Sequence, residues 1–250
     1  GGDVTVSGNG DFNNEALATV SDPVVEVSGN GDVNNAGTMS GVNNSGTGTI
    51  DNTNQMGAVT NSGSGTVLNS GIMASVNNSG TGTTTNTGVI TGTVGNAGTF
   101  EAAGGSSIGG TITNTGDFDA TGNSVFTGPF NNNGGAINVT GGNLTGGPGA
   151  PVTNTDGNIT VNGGNTFGVT TLTNSGGSST LDVSGGGTMS VAGVFTNGGT
   201  TTVDNGTVSA GSVSNTGTFD IGATGVMTST GRDDPSLDGS SGSMIDFNAK

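Results

Sequence analysis

The chain has no cysteine, histidine, tryptophan or tyrosine, and its only basic residues are Arg232 and Lys250. Without Cys there is no disulfide framework and no thiolate metal site, and cysteine usage gives no guide to compartment. Without His or Cys the commonest general bases and nucleophiles are missing. Two cations near the C-terminus leave nothing in the body of the chain to neutralise an acidic substrate. Against them stand 18 acidic residues, for a net charge of -16. Such a charge repels phosphate backbones and anionic lipid headgroups, so no nucleic-acid partner is expected. No run of ~18 apolar residues suggests a transmembrane segment, and no basic start with an apolar core suggests a signal peptide. The chain begins at Gly1 rather than Met, which points to a processed or excised product.

What is abundant is glycine, with 54 residues, while Val, Ile, Leu and Phe together make up 49 of 250. That lies just under the ~20% level below which a highly charged chain is expected to be disordered. Order must then come from a repeat, and one is present: an apolar residue, a small polar residue, Asn, any residue, then Gly. The clearest units read VNNSGTGTIDNTNQMGA from Val42, VTNSGSGTVLNSGIMAS from Val59 and VNNSGTGTTTNTGVITGT from Val76. Ten copies place Asn at 44, 61, 78, 96, 114, 132, 154, 174, 197 and 215, at spacings of 17, 17, 18, 18, 18, 22, 20, 23 and 18. The fifth position is Gly in every copy except Asp156. Gly or Asp at a fixed offset suggests a corner with positive φ, repeated once per coil. In-register stacking would let Asn44, Asn61, Asn78, Asn96, Asn114, Asn132, Asn154, Asn174, Asn197 and Asn215 hydrogen-bond to one another as a structural ladder.

Between corners the chain alternates, as in Thr99-Phe100-Glu101-Ala102 and Asp117-Phe118-Asp119-Ala120. Apolar residues at every second position mean short strands with one buried face. Each is too short to form a sheet alone, but stacked coils pair it with its equivalents above and below. The expected fold is therefore all-β: a single-stranded parallel β-helix, or β-solenoid, of about ten or more coils of 17–23 residues. Ten coils at ~4.8 Å per strand make a rod of roughly 50 Å. We read residues 1–250 as one domain, with irregular first coils over 1–41, regular coils over 42–229 and a loop with a terminal strand or cap over 230–250. The only stretch rich in helix formers, from Glu15 to Val20, is about one turn long.

These corners, with strands of the type TLDVSGGGTMSV and TFDIGATGVMTS, resemble the passenger regions of bacterial autotransporters and related haemagglutinin-like surface proteins, over roughly Val6 to Ser229. The resemblance implies an extracellular, cell-surface location in bacteria and brings no catalytic residues. A membrane barrel is not expected within this chain, whose lack of Trp and Tyr rules out the usual aromatic girdles.

Function is less constrained, and several readings stay open. No enzymatic activity is expected; the best carboxylate pair for hydrolysis is Glu101 with Asp119, or Asp117 beside them. No cofactor is expected other than calcium. Its candidate ligands are Asp11 and Asp32, in GNGD segments one residue short of a calcium-binding nonapeptide, then Asp233 and Asp234, or Glu101, Asp117 and Asp119. The alternative is that these acids are solvated outer-face residues that keep the rod soluble. Thr47, Thr49, Ser64, Thr66, Thr81 and Thr83 form a short hydroxyl array of the kind an ice-binding face needs, interrupted by Glu101, Asp117 and Asp119. The leading expectation is a structural rod that joins copies of itself end to end. Unpaired strand edges at its ends would meet through Val4 and Val6 in the first coil and Met244, Ile245 and Phe247 in the last. The alternative is an adhesin whose Asn, Thr and Ser rows bind surface or host glycans. Lateral association between such acidic rods is expected to strengthen with salt or divalent cations, because screening shortens their repulsion.

Overall fold

In the computed structural model the described residues are 4–21 and 24–231, together with the backbone of Asp238–Gly239 and Met244–Phe247. The fold is a parallel β-solenoid, and the described residues contain no helix, hence none long and apolar enough to cross a membrane. Each turn contributes one strand to a narrow sheet of 13 strands and one or two to a wide sheet of 20. One complete turn runs through Thr49–Asn52 in the narrow sheet and Gln55–Asn61 in the wide one. Within Gln55–Asn61 the buried residues Met56 and Val59 are separated by two outward ones, so alternation breaks and the wide sheet turns a corner into two limbs. Further along, the limbs are separate strands, such as Val89–Ile90 and Val94–Asn96.

Every turn sits in register on the last, pairing Val42, Val59 and Val76 in one column and Thr49, Thr66 and Thr83 in another. The described residues before Val42 join the same pattern, with Val4–Val6 on Val25–Val27 and Phe12–Asn14 on Val33–Asn35. Thr, Val and Ile suit a pleated, half-buried surface, and Gly and Asn are poor helix formers, so local preference and repeat agree. The low apolar content suffices because the interior is only one or two side chains wide per wall. The buried column of the narrow sheet runs Ile50, Val67, Thr84, Phe100, Phe118, Ile137. Aromatic rings fill the middle turns: Phe100 and Phe118 stack with centroids 5.1 Å apart, and Phe118 meets Phe130 edge-on at 4.8 Å.

The corner glycines correct one expectation. Only Gly134, Asp156 and Gly176 adopt positive φ among the ten fifth positions of the motif. They lie in consecutive long turns of 22, 20 and 23 residues, where the extra corner residue takes the left-handed conformation. At Gly46, Gly63 and Gly80 the requirement is steric: a Cβ would run into the carbonyl oxygen of Gly29, Gly46 or Gly63 in the preceding turn. Backbone stacks directly on backbone at these corners, and only a residue without a side chain fits.

Two stability measurements check this packing. Gly63→Ala should cost about 1–3 kcal/mol in denaturant unfolding. Gly134→Asn, at a left-handed position with open space around it, should be nearly neutral, since Asn tolerates that conformation. Equal tolerance of both changes would remove the close-approach explanation. Thr84 is fully buried between Val67 and Phe100, and its hydroxyl has no hydrogen-bond partner. Thr84→Val should therefore raise the unfolding midpoint, by about 1–3 kcal/mol; a lower midpoint would mean that the hydroxyl is satisfied.

Candidate functional site

The corner between the second limb of the wide sheet and the narrow sheet holds all ten motif asparagines, each 0–3% exposed. From Asn44 to Asn215 each Nδ2 donates to Oδ1 of the next, over 2.7–3.1 Å, giving nine consecutive links. The other N–H ties the corner to itself: Asn44, Asn61 and Asn78 donate to the carbonyls of Gly48, Gly65 and Gly82 at 3.1, 2.9 and 2.8 Å. Asn114 reaches Gly116 at 2.8 Å and also Ala136 in the next turn at 2.9 Å. All the amides point the same way along the rod, so each bond polarises the next.

A second ladder, which the motif search did not detect, lines the opposite corner. Asn14, Asn35, Asn52, Asn69 and Asn86 are linked by four bonds of 2.7 Å. Its signal was an Asn recurring 21, 17, 17 and 17 residues apart; Gly stands two places on at Gly37, Gly71 and Gly88 but not after Asn14 or Asn52, and only Val33–Gly37 keeps the whole motif. The ladder ends where Asn86 donates to the Ser106 hydroxyl at 3.0 Å, and Ala102, Ala120, Val139 and Val161 continue the column as apolar packing.

The candidate calcium ligands fall in three places. Asp11 and Asp32 join turns: Asp11 accepts the Asp32 amide at 3.2 Å, and Asp32 accepts the Thr49 amide at 2.6 Å. Glu101 and Asp119 are register neighbours on the outer face of the narrow sheet, with Asp117 on the same face. The repulsion between these two is eased from both sides, because Thr85 donates to Glu101 at 2.9 Å and Asn138 to Asp119 at 2.8 Å. Asp233 and Asp234 lie outside the described residues. Among the described residues no three acidic, His or Cys side chains converge as a metal site would require.

The hydroxyl array is split between a corner and a strand. Thr49, Thr66, Thr83 and Thr99 stack in one column that continues into Asp117. Thr47, at the corner, hydrogen-bonds Asn30. At the ends of the rod, Val4 and Val6 belong to a strand bonded to Val25–Val27, with Val6 buried. Met244–Phe247 pairs with Val226–Ser229, which places the backbone of Met244, Ile245 and Phe247 in the last turn; their side chains lie outside the described residues.

Outer faces differ in charge. In the narrow sheet one outward column carries Asp51, Glu101, Asp119, Asp182 and Asp220, mostly spaced by Thr or Asn. The second limb presents Glu26 and then, without further charge, Asn43, Thr60, Asn77, Gly95, Thr113 and Asn131. Because Gly95 has no side chain, the surface dips beside it into a depression of about 410 Å³ lined by Thr60, Ser75, Asn77, Thr93, Thr111 and Thr113 among others. No protein-family profile, no curated protein and no solved structure matches this chain.

Asn114 offers a direct test of the long ladder. Asn114→Ala should destabilise the protein by about 2–4 kcal/mol, because the buried Asn132 Oδ1 loses its ladder donor and Asn96 Nδ2 loses one acceptor, keeping only the carbonyls of Gly98 and Asp117. Asn138→Ala on the outer face should cost only about 0.5 kcal/mol in the same urea titration. Comparable losses would mean that the ladder adds nothing beyond ordinary surface hydrogen bonds.

Proposed function

We propose that this chain is a non-enzymatic extracellular structural protein, a surface or secreted rod that lengthens by end-to-end association. One observation carries the reading. Among the described residues, the first-turn strands Val4–Val6, Phe12–Asn14 and Thr19–Val20 are hydrogen-bonded on one side only, to the turn that follows. Three parallel edges at one end form a template for strand addition. Because every turn runs in the same direction, the last turn of one copy presents the polarity that the first turn of another requires. Such a contact is heterologous and does not close on itself, so it produces an open filament rather than a dimer. The extracellular placement rests on the likeness of the corners and strands to the passenger regions of bacterial surface proteins.

The second limb, uncharged from Asn43 to Asn131, favours one further reading, an adhesin that holds a neutral glycan along the rod. Its row of Asn and Thr side chains offers amide and hydroxyl partners without the repulsion of the acidic face. Ice binding has less support, since the threonine column runs into Asp117.

Negative-stain microscopy and sedimentation over a concentration series test the main reading, with and without a calcium chelator. Wild-type rods should lengthen as concentration rises, and a variant truncated before Ser243 should remain as single rods. Shortening on chelation would add a bridging cation. Single rods at every concentration, or a truncated form that lengthens equally well, would overturn end-joining, and a glycan array would then become the decisive assay.

A further inference from the structure

Among strand residues the acids cluster on the narrow sheet, with Glu26 on the second limb and Asp246 in register with Thr228 at the C-terminal end of the first. The outward column of the first limb of the wide sheet runs from Thr38 to Thr228 without a charged residue. It also carries a compact apolar stripe: Ile72 lies on Val89, Val89 on Ser107 and Ser107 on Val125. Ile72, Val89 and Val125 are 47%, 37% and 45% exposed, and on the narrow sheet only Leu68 among the described residues is a comparably exposed large apolar side chain. The second limb carries Glu26 in its early turns and otherwise presents mainly Asn and Thr, which need hydrogen-bond partners once buried.

We infer that the first limb is a lateral pairing face, and that its partner is the same face of a second copy. A chain of net charge -16 can approach another copy closely only through a wall without charge, and this wall adds apolar area to that neutrality. Packing it face to face leaves both acidic narrow sheets in water. Regular columns about 4.8 Å apart on each copy let side chains of one rod settle between those of the other, as in packed sheets about 10 Å apart. A face of ten strand spacings by about 10 Å covers roughly 500 Å² per copy, or about 1,000 Å² in total, the lower bound for a specific interface. The contact is isologous and side by side, so it doubles the width of the particle, whereas end-joining extends its length. Screening strengthens it, because the remaining acidic surfaces repel over about 30 Å at 0.01 M ionic strength and about 3 Å at 1 M.

The test compares two triple variants of the whole chain by sedimentation velocity across that salt range and by particle width in negative stain. Wild type should shift from single to double width as salt rises. Ile72→Glu, Val89→Glu, Val125→Glu should stay single. Asn138→Glu, Thr160→Glu, Thr202→Glu adds the same charge to the outward column of the narrow sheet and should still pair. Serine at the three first-limb positions, which adds no charge, should weaken pairing about tenfold, equivalent to about 1.4 kcal/mol. Single-width particles for wild type at every salt concentration, or two glutamate triples that behave alike, would overturn the inference. Loss of double width with filament length retained counts against lateral pairing alone. Loss of length with double width retained counts against end-joining alone.

Discussion

The whole structure depends on parallel in-register stacking, in which every position has its own equivalent about 4.8 Å above and below it. A residue in such a stack must be compatible with itself as a neighbour. Asparagine meets that demand well, since its side chain donates at one end and accepts at the other, and ten of them stack without leaving a buried amide unpaired from Asn44 to Asn215. Valine and phenylalanine meet it by contact, as the Phe100–Phe118 stack does. Glycine at Gly63 meets it by having no side chain where one backbone lies against the next. Charge meets it poorly, and the acidic column of the narrow sheet intersperses Thr and Asn between carboxylates such as Asp182 and Asp220.

The rod is not uniform along its axis. From Asn44 to Asn86 its turns are short and carry two asparagine ladders, one at each end of the narrow-sheet strand. From Ala102 onward the second ladder gives way to an apolar column, just where Phe100, Phe118, Phe126 and Phe130 enlarge the core. Polar satisfaction and apolar packing thus substitute for each other at one corner while the first ladder continues unbroken beside them. In a solenoid each turn contacts only its neighbours, so stability is a sum of turn and interface contributions. This change in interior divides the molecule into two regions with different sources of cohesion.

The surface follows from the same geometry. Whatever a turn presents outward is repeated along the axis as a column, so a wall acquires one chemical character over tens of ångströms. One wall is acidic, the first limb is neutral from Thr38 to Thr228, and the second limb is neutral beyond Glu26. Among the described residues, these columns bring no three acidic, His or Cys side chains together as a metal site would require.

Much of this is local and can be read directly. The motif spacing from Asn44 to Asn215 and alternations such as Thr99-Phe100-Glu101-Ala102 specify coils, strands and the first ladder, because each follows from a few adjacent residues. The ladder from Asn14 to Asn86 was visible as a spacing, but only Val33–Gly37 repeats the full motif, since Asn14 and Asn52 lack the following glycine and Leu68 and Thr84 depart from it in the other copies. The steric reason for Gly46 and Gly63 was not legible at all, since the obstructing carbonyl belongs to the preceding turn. By itself the sequence determined the coil, its strands and the identity of the stacking corner residues. Only the tertiary structure decided which outward residues share a wall. Turn lengths vary from 17 to 23 residues, so that Ile72, Val89 and Val125 become one stripe, and Glu101 and Asp119 another, only once each strand has found its partner.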